Sequence, residues 1–324
     1  MPRQFRILLL TVVALCNPES EAISETLRSG YPLMMEIADA RLLAMGGAAL
    51  SESGEAGNVT HNPASLYSSP NFLSASYARH PVEIWSGRLM AGRQLKNYNT
   101  SIYLQSYGYG TMERTGSNSN GSFNAGEYLL GAAFAGNLIA NLNWGVGGKL
   151  GWYTIEDVSG AAMAFDAGVT FDPQWEKFKL GLVLRNWGSE LKGDDANETP
   201  TPTELAFSVS KRLAHLPLTL HTVLNLRRKG EGDLKANFLP GEPDLSYAVG
   251  GEFEISPANA EKPIKLRFGY RSIGDGLRVG NGGDTFAGFS FGLGLIVRRF
   301  AFDYAYAPLG ALGYIHRIGI SRQI

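Results

Sequence analysis

From Phe72 to Ile324 the chain alternates apolar and polar side chains in about fourteen strand-length segments, and charge falls almost entirely on one of the two faces. Successive side chains of a strand point to opposite sides. Met163, Phe165, Ala167, Val169 and Phe171 therefore share one face, and Ala164, Asp166, Gly168 and Thr170 the other. The same sorting sets Ile264, Leu266, Phe268 and Tyr270 against Lys265, Arg267, Gly269 and Arg271. It sets Tyr247, Val249, Phe253 and Ile255 against Ala248, Gly250, Glu252 and Glu254, and Phe300, Phe302, Tyr304 and Tyr306 against Ala301, Asp303 and Ala305. Lys149 and Arg185 obey it too.

A lipid-facing Arg or Lys costs about 2–4 kcal/mol at the bilayer midplane, so a surface turned to hydrocarbon must exclude charge where a lumen need not. A soluble β-sandwich or barrel alternates equally well with its apolar face inward. Three features separate the two. Many segments run about nine to eleven residues, the length of a tilted membrane strand rather than of an ordinary soluble one. Aromatic residues (Trp85, Tyr128, Trp144, Trp152, Phe171, Tyr247, Tyr270, Phe300, Tyr306) gather near strand ends, as interfacial girdles require. Connections alternate in length: Lys96-Asn97, Ala214-His215 and Val297 to Arg299 are short, whereas Gly110 to Ala125, Gly188 to Thr203, Lys229 to Ser246 and Ser272 to Thr285 are long. The pattern predicts an all-β protein, a transmembrane antiparallel β-barrel of about 14 strands with both ends on the periplasmic side. Asp166, Arg185, Glu252, Glu254, Lys265, Arg267 and Arg271 are its expected lumen-facing charges, either paired with one another in a solvated lumen or forming a binding site.

Before the barrel the organisation changes. Arg3 and Arg6, the apolar run Ile7 to Leu15, and Ser20-Glu21-Ala22 read as a secretory signal over residues 1–22. A lipoprotein reading would use Val13-Ala14-Leu15-Cys16, where Leu15 is bulky for a lipobox. The only cysteine, Cys16, belongs to this leader, so the mature chain is expected to carry no disulfide. Residues 23–70 do not alternate. Ile37 to Ala48 reads as a short helical stretch running into Gly46-Gly47, and Asn62-Pro63-Ala64 as a turn. This is expected to be a hatch packed into the lumen, with Gly145, Gly147, Gly181, Gly288, Gly292 and Gly294 making room for it, rather than a flexible periplasmic tail. Residues 71–324 are the barrel.

Composition narrows the partners. The 324 residues are 44% hydrophobic and 18% charged with a formal net charge of -1, which offers no electrostatic footprint for nucleic acid. The most apolar stretch, Tyr128 to Val146, is interrupted by Asn137, Asn141 and Asn143 and reads as two strands and a turn, not a membrane helix. Outer-membrane lipid is the expected surrounding.

Asp39-Ala40-Arg41 through Ala44-Met45-Gly46-Gly47-Ala48, with Asn62-Pro63-Ala64 and Leu66, resembles the N-terminal hatch of FadL-like outer-membrane barrels, in particular the PorV/PorQ family. The hatch residues that carry the resemblance are Asp39, Arg41, Met45, Gly46, Gly47, Asn62, Pro63 and Ala64. Leu182 to Gly188, Pro202 to Leu205, Val209 to Pro217 and Phe286 to Gly294 are similar to its PorQ-like members. The resemblance implies a non-enzymatic membrane anchor or scaffold in type IX-like protein secretion, with secretion and surface-attachment proteins as partners. Many such barrels end on an aromatic residue, whereas this chain ends Ser321-Arg322-Gln323-Ile324. The alternative function is a FadL-like transporter of apolar small molecules.

Catalytic chemistry is not expected. Gly288-Phe289-Ser290-Phe291-Gly292 fits the G-x-S-x-G nucleophile elbow, but that motif needs a sharp turn into a helix, and here the alternation runs straight through. Gly145 to Gly151 fits neither phosphate-loop spacing. The five histidines are scattered, without metal-ligand spacing, and read mostly as loop or interface residues. No cofactor or metal is expected.

Overall fold

The computed structural model describes residues 31–69, 71–114, 121–175, 177–193, 201–228, 243–255, 264–272 and 286–324. The expected leader 1–22 with Cys16, the first residues of the expected hatch, and most of the three long connections after Gly188, Lys229 and Ser272 lie outside them.

Fourteen strands close into a barrel in sequence order, each antiparallel to its neighbours. They are β1 (Phe72–Arg79), β2 (Trp85–Leu95), β3 (Tyr98–Glu113), β4 (Ser122–Ile139), β5 (Leu142–Ile155), β6 (Val158–Phe171) and β7 (Phe178–Lys192). The second half comprises β8 (Glu204–Arg212), β9 (Leu218–Arg228), β10 (Pro243–Ile255), β11 (Ile264–Arg271), β12 (Phe289–Val297), β13 (Phe300–Pro308) and β14 (Tyr314–Gln323). β1 and β14 complete the ring, with Phe72 opposite Gln323 and Arg79 opposite His316. Closure leaves no edge strand, which is what hydrocarbon demands of a β-structure, because an unpaired N–H or C=O there has no water to turn to. No helix among the described residues is long and apolar enough to span a membrane.

The alternation sorts the faces as the sequence implies. Phe165 is 47% exposed on the outer surface while its neighbour Asp166 is 4% exposed inside. Rings outside gather at opposite ends: Tyr128 stacks on Trp152 (5.7 Å) and Tyr270 packs against Phe289 (5.0 Å) at one end, and Tyr98 meets Phe134 (4.8 Å) and Trp144 (6.3 Å) at the other.

β2, β8, β9, β12, β13 and β14 keep to nine to eleven residues, whereas β3 to β7 run longer. β3 has 16 residues and β4 has 18, well beyond nine to eleven. Both ends of the segment expected to be a loop from Gly110 to Ala125 are strand, and so is Gly188 to Lys192. These strands continue past the lipid, where apolar alternation is no longer enforced, so the pattern marks the bilayer-crossing part and not the element's end. The turn between β5 and β6, on the side of the long connections, is itself only two residues long, Glu156-Asp157, with Glu156 at φ 55.

Residues 31–69 fill the lumen. They form 3-10 turns at Pro32–Met35, Ala56–Thr60 and Pro63–Leu66 and one short helix, α1 (Ala40–Ala44). Asp39 caps α1 by accepting from Leu42 N at 2.9 Å. The Gly pair stops it: Gly46 N donates to Leu43 O (3.0 Å) and Gly47 N to Leu42 O (2.9 Å), with Gly46 at φ 66, a Schellman ending. Hatch and wall share the buried clusters, with Leu42, Met45 and Leu50 against Val183, Ala206, Val223 and Ala248.

Wall glycines let the two backbones approach. A Cβ at Gly145 would lie 2.3 Å from the carbonyl carbon of Pro63, one at Gly181 2.9 Å from Leu50 O, and one at Gly292 2.3 Å from Ala44 Cβ. Gly168, Gly250 and Gly269 do the same for Asn62, Met45 and Gly46. Gly147 and Gly294 do not receive the hatch: a Cβ at Gly147 would meet the β4 backbone and Asp166, and one at Gly294 the Arg267 guanidinium. Gly288 precedes β12 at φ 87.

Candidate functional site: the plugged lumen

Inside the barrel, most charged groups of the hatch meet a wall strand. Glu36 accepts from Ser86 Oγ at 2.5 Å, pairs with Arg317 on β14, and lies 3.3 Å from His80 Nε2. Burial disfavours its charge, yet Arg317 and His80 outweigh burial and hold the carboxyl below its ordinary value. Asp39 pairs with Arg88 of β2 at 3.0 Å, and Arg88 also donates to Gly57 O at 2.9 Å. Burial again opposes ionisation, and Arg88 together with the Leu42 N–H keeps Asp39 low.

Arg41 joins the wall at 2.9 Å to Glu252, which also takes Arg267 (2.7 Å) and Lys265 (3.2 Å); Arg267 continues to Asp303 at 2.6 Å. Glu55 lies 3.4 Å from Arg41, and burial raises its carboxyl above the ordinary range. Glu52 takes Lys179 (2.7 Å) and Ser210 (3.0 Å).

Deeper in the wall, Lys149 bridges Asp166 (2.8 Å) and the Asn186 side-chain oxygen (2.7 Å) and reaches Thr60 O of the hatch at 3.4 Å. Asn186 sits at φ 57, where the β6–β7 register slips between Phe165 and Ala167. Its N–H donates to Asp166 at 2.7 Å and its amide to Met34 O at 3.3 Å. The Leu182 to Gly188 segment is thus a bulged strand that turns Asn186 onto the hatch.

Neutral groups hold the hatch backbone. Ser76 donates to Ala38 O (2.5 Å), Ser208 to Ala48 O (3.0 Å) and Ser290 to Ala44 O (3.1 Å). Ser290 therefore stands in β12 with its hydroxyl engaged, not on an elbow. Asn62 caps the following turn, its oxygen accepting from Ala64 N at 3.1 Å while its amide donates to Leu50 O at 2.8 Å; Pro63 and Ala64 lie against Gly145.

All seven charges expected in the lumen face it. Glu252, Glu254, Lys265 and Arg267 come together around Arg41; Asp166 joins Lys149, and Arg185 joins Glu204. Arg271 joins none of these groups. Glu36, Glu52, Arg88, Glu204, Arg227 and Arg317 also form ion pairs in the lumen without having been singled out, and Asp303, placed on the polar face of its strand, pairs with Arg267. The inward register of β2, β8, β9, β13 and β14 carries the wall members, and alternation applied to those strands finds them; the partner across the lumen leaves no sequence trace. His61, His80 and His215 lie in loops or turns and His221 and His316 on strands; His61, His80 and His221 are buried inside, and His215 and His316 lie outside. Among the described residues no cluster of His, Cys, Asp and Glu could hold a metal.

Three cavities border the hatch, and the two larger ones share no lining residue. One, of about 540 Å³ toward the long connections, mixes apolar side chains such as Ile37, Leu43 and Val223 with Arg185, Arg227 and Arg271. The other, of about 370 Å³, is lined by charges including Arg41, Glu52, Glu252 and Lys265. A groove of about 600 Å³ over Ala75 and Ala91 lies on the outer wall, among side chains that face lipid.

A closed fourteen-strand barrel with a segment folded into its lumen is the fold of outer-membrane barrels. The chain superposes on the toluene transporter TodX of Pseudomonas putida with a TM-score of 0.58 at 10% identity, covering 89% of this chain and 99% of that one. The Ralstonia pickettii toluene transporter TbuX gives 0.59 at 11% identity, with 88% and 98% covered, and the monoaromatic hydrocarbon channel CymD gives 0.59 at 11%, with 89% and 97% covered. These neighbours are FadL-family barrels. No family model and no curated protein matches the sequence.

Proposed function

We propose that the protein is a FadL-like outer-membrane channel that admits a small apolar molecule from the outer side, with the hatch as its gate. The cavity of about 540 Å³ above the hatch carries this reading: it is concave, partly apolar, and of a size that encloses a single-ring hydrocarbon. The hydrocarbon-transporting barrels that share the fold support it. Because the cavities on the two sides of the hatch do not share a wall residue, passage requires the hatch to shift.

A disulfide tests this. The Ala40 Cβ lies 3.4 Å from where a Gly319 Cβ would stand, close to disulfide spacing, so Ala40→Cys with Gly319→Cys pins α1 to β14. Cells carrying the barrel are expected to take up labelled toluene faster than cells without it, the oxidised pair to lose that gain, and reduction to restore it. Uptake no faster than in barrel-free cells, in either redox state, removes the channel.

The second reading is a PorV/PorQ-type scaffold in protein secretion and surface attachment. The resemblance of Asp39 to Ala48 and Asn62 to Ala64 favours it, as does the density of ion pairs fastening the hatch. Normal surface attachment of secreted proteins after deletion of the gene counts against it.

A further inference from the structure

The outer cavity has a charge imbalance that neither reading uses. Arg185 on β7, Arg227 on β9 and Arg271 on β11 all line it. Arg185 and Arg227 close on a single carboxylate, Glu204, from two sides. Each keeps its Nη1 buried and without a partner. Arg271 has no carboxylate partner among the described residues; the charged group acting on it is another cation, Arg227. The remaining charges at this cavity cancel locally, Glu36 against Arg317. Three guanidinium groups thus face one carboxylate, an excess of two positive charges among the described side chains.

Charge that lacks a counter-charge among the described side chains is unfavourable in a half-buried site, and a bound group of the missing sign relieves it. We propose that these three arginines bind a dianionic phosphoryl group. The charge matches: a phosphate monoester carries close to two negative charges at neutral pH. So do the donors, because phosphate oxygens accept guanidinium N–H groups, and one nitrogen each of Arg185 and Arg227 has no partner here. A carboxylate would neutralise one cation and leave the other. The apolar remainder of the cavity, Ile37, Leu43 and Val223, accommodates a hydrocarbon body attached to the phosphoryl group. The proposal does not depend on transport: a barrel that passes nothing keeps the site, and a channel can lack it.

The full chain in zwitterionic detergent, titrated calorimetrically, separates the outcomes. Phenyl phosphate is expected to bind one per barrel, and benzoate and benzyl alcohol at least about tenfold more weakly, as the loss of charged hydrogen bonds implies. Arg271→Gln should weaken phenyl phosphate by a similar factor while leaving benzyl alcohol unchanged. Arg271→Lys, which keeps the charge and loses the fork, should fall between, and it stands in if Arg271→Gln fails to give the folded, heat-resistant barrel. Competition by inorganic phosphate assigns the site to a free phosphate. Competition only by micelles containing phosphatidic acid, and not by phosphatidylglycerol, assigns it to a lipid headgroup with a terminal phosphate. Benzoate binding as tightly as phenyl phosphate, no effect of either Arg271 variant, or no binding by any phosphate overturns the proposal.

Discussion

The wall and the plug of this molecule solve the same problem by opposite means. Every wall strand pairs its backbone with two neighbours, so the barrel satisfies its own peptide groups and leaves its side chains free to be sorted by solvent. The plug has one helix of five residues and three 3-10 turns, too little regular structure to satisfy its carbonyls, and it borrows wall donors: Ser76 and Arg317 for Ala38, Ser208 for Ala48, Ser290 for Ala44. The wall would keep its hydrogen bonds without the plug, whereas the plug's fold is held by the wall. Charge follows the same division. On the lipid side it is excluded; at the plug interface it is the main fastening.

The contrast breaks most sharply at Arg317. Its guanidinium is buried against Glu36, Ala38 and Ser86, tying β14 to the hatch. Arg317→Met leaves Glu36 buried with only His80 and Ser86, and removing one member of a buried pair costs about 3–5 kcal/mol. The expected result is an intact barrel whose hatch becomes accessible to protease, so loss of the barrel itself would show that wall and plug are not separable. On the other side of the wall, Phe165→Arg places on the outer face the charge that Lys149 carries inside, beside Asp166. A cost of about 2–4 kcal/mol is expected in denaturant titrations of barrels refolded into bilayers. A neutral result would mean that this face does not meet hydrocarbon.

These differences also explain what the sequence disclosed. The wall was legible because the cost of charge in lipid writes a period of two into each strand, and Met163 to Phe171 shows it without any partner being known. Where lipid ends the pattern fades, which is why β3 and β4 run longer than the alternation suggests. The helix stop at Gly46-Gly47 and the cap at Asn62 are local devices, readable as such. The fastening of Glu36 to Arg317 is not: the residues are remote in sequence, nothing local couples them, and only barrel closure brings them together. Gly147 shows the same limit, since an inward glycine can make room for a wall side chain as readily as for the hatch.

The smallest effect expected is one of pH, and it sharpens the comparison because it acts on the plug alone. His61 is buried at the hatch–wall interface, and burial, then the nearby Arg185 and Lys149, push its pKa well below 6.5. It stays neutral when docked and takes up a proton near 6.5 when released, so docking should weaken as pH falls below about 6.5, by at most about 1.4 kcal/mol per pH unit for one proton. Glu36, Asp39 and Glu52 have lowered values in the docked hatch, so their contribution is complete above about 4.5 and is lost only as pH falls further. Glu55, raised by burial, acts in the opposite sense: the docked hatch binds its proton more readily, which partly offsets His61 as pH drops toward 4.5. Protease accessibility of residues 31–69, followed from pH 7.5 to 5, should therefore rise below about 6.5 in the native chain and stay flat in His61→Gln. An equal rise in both would remove His61 as the group that releases the plug.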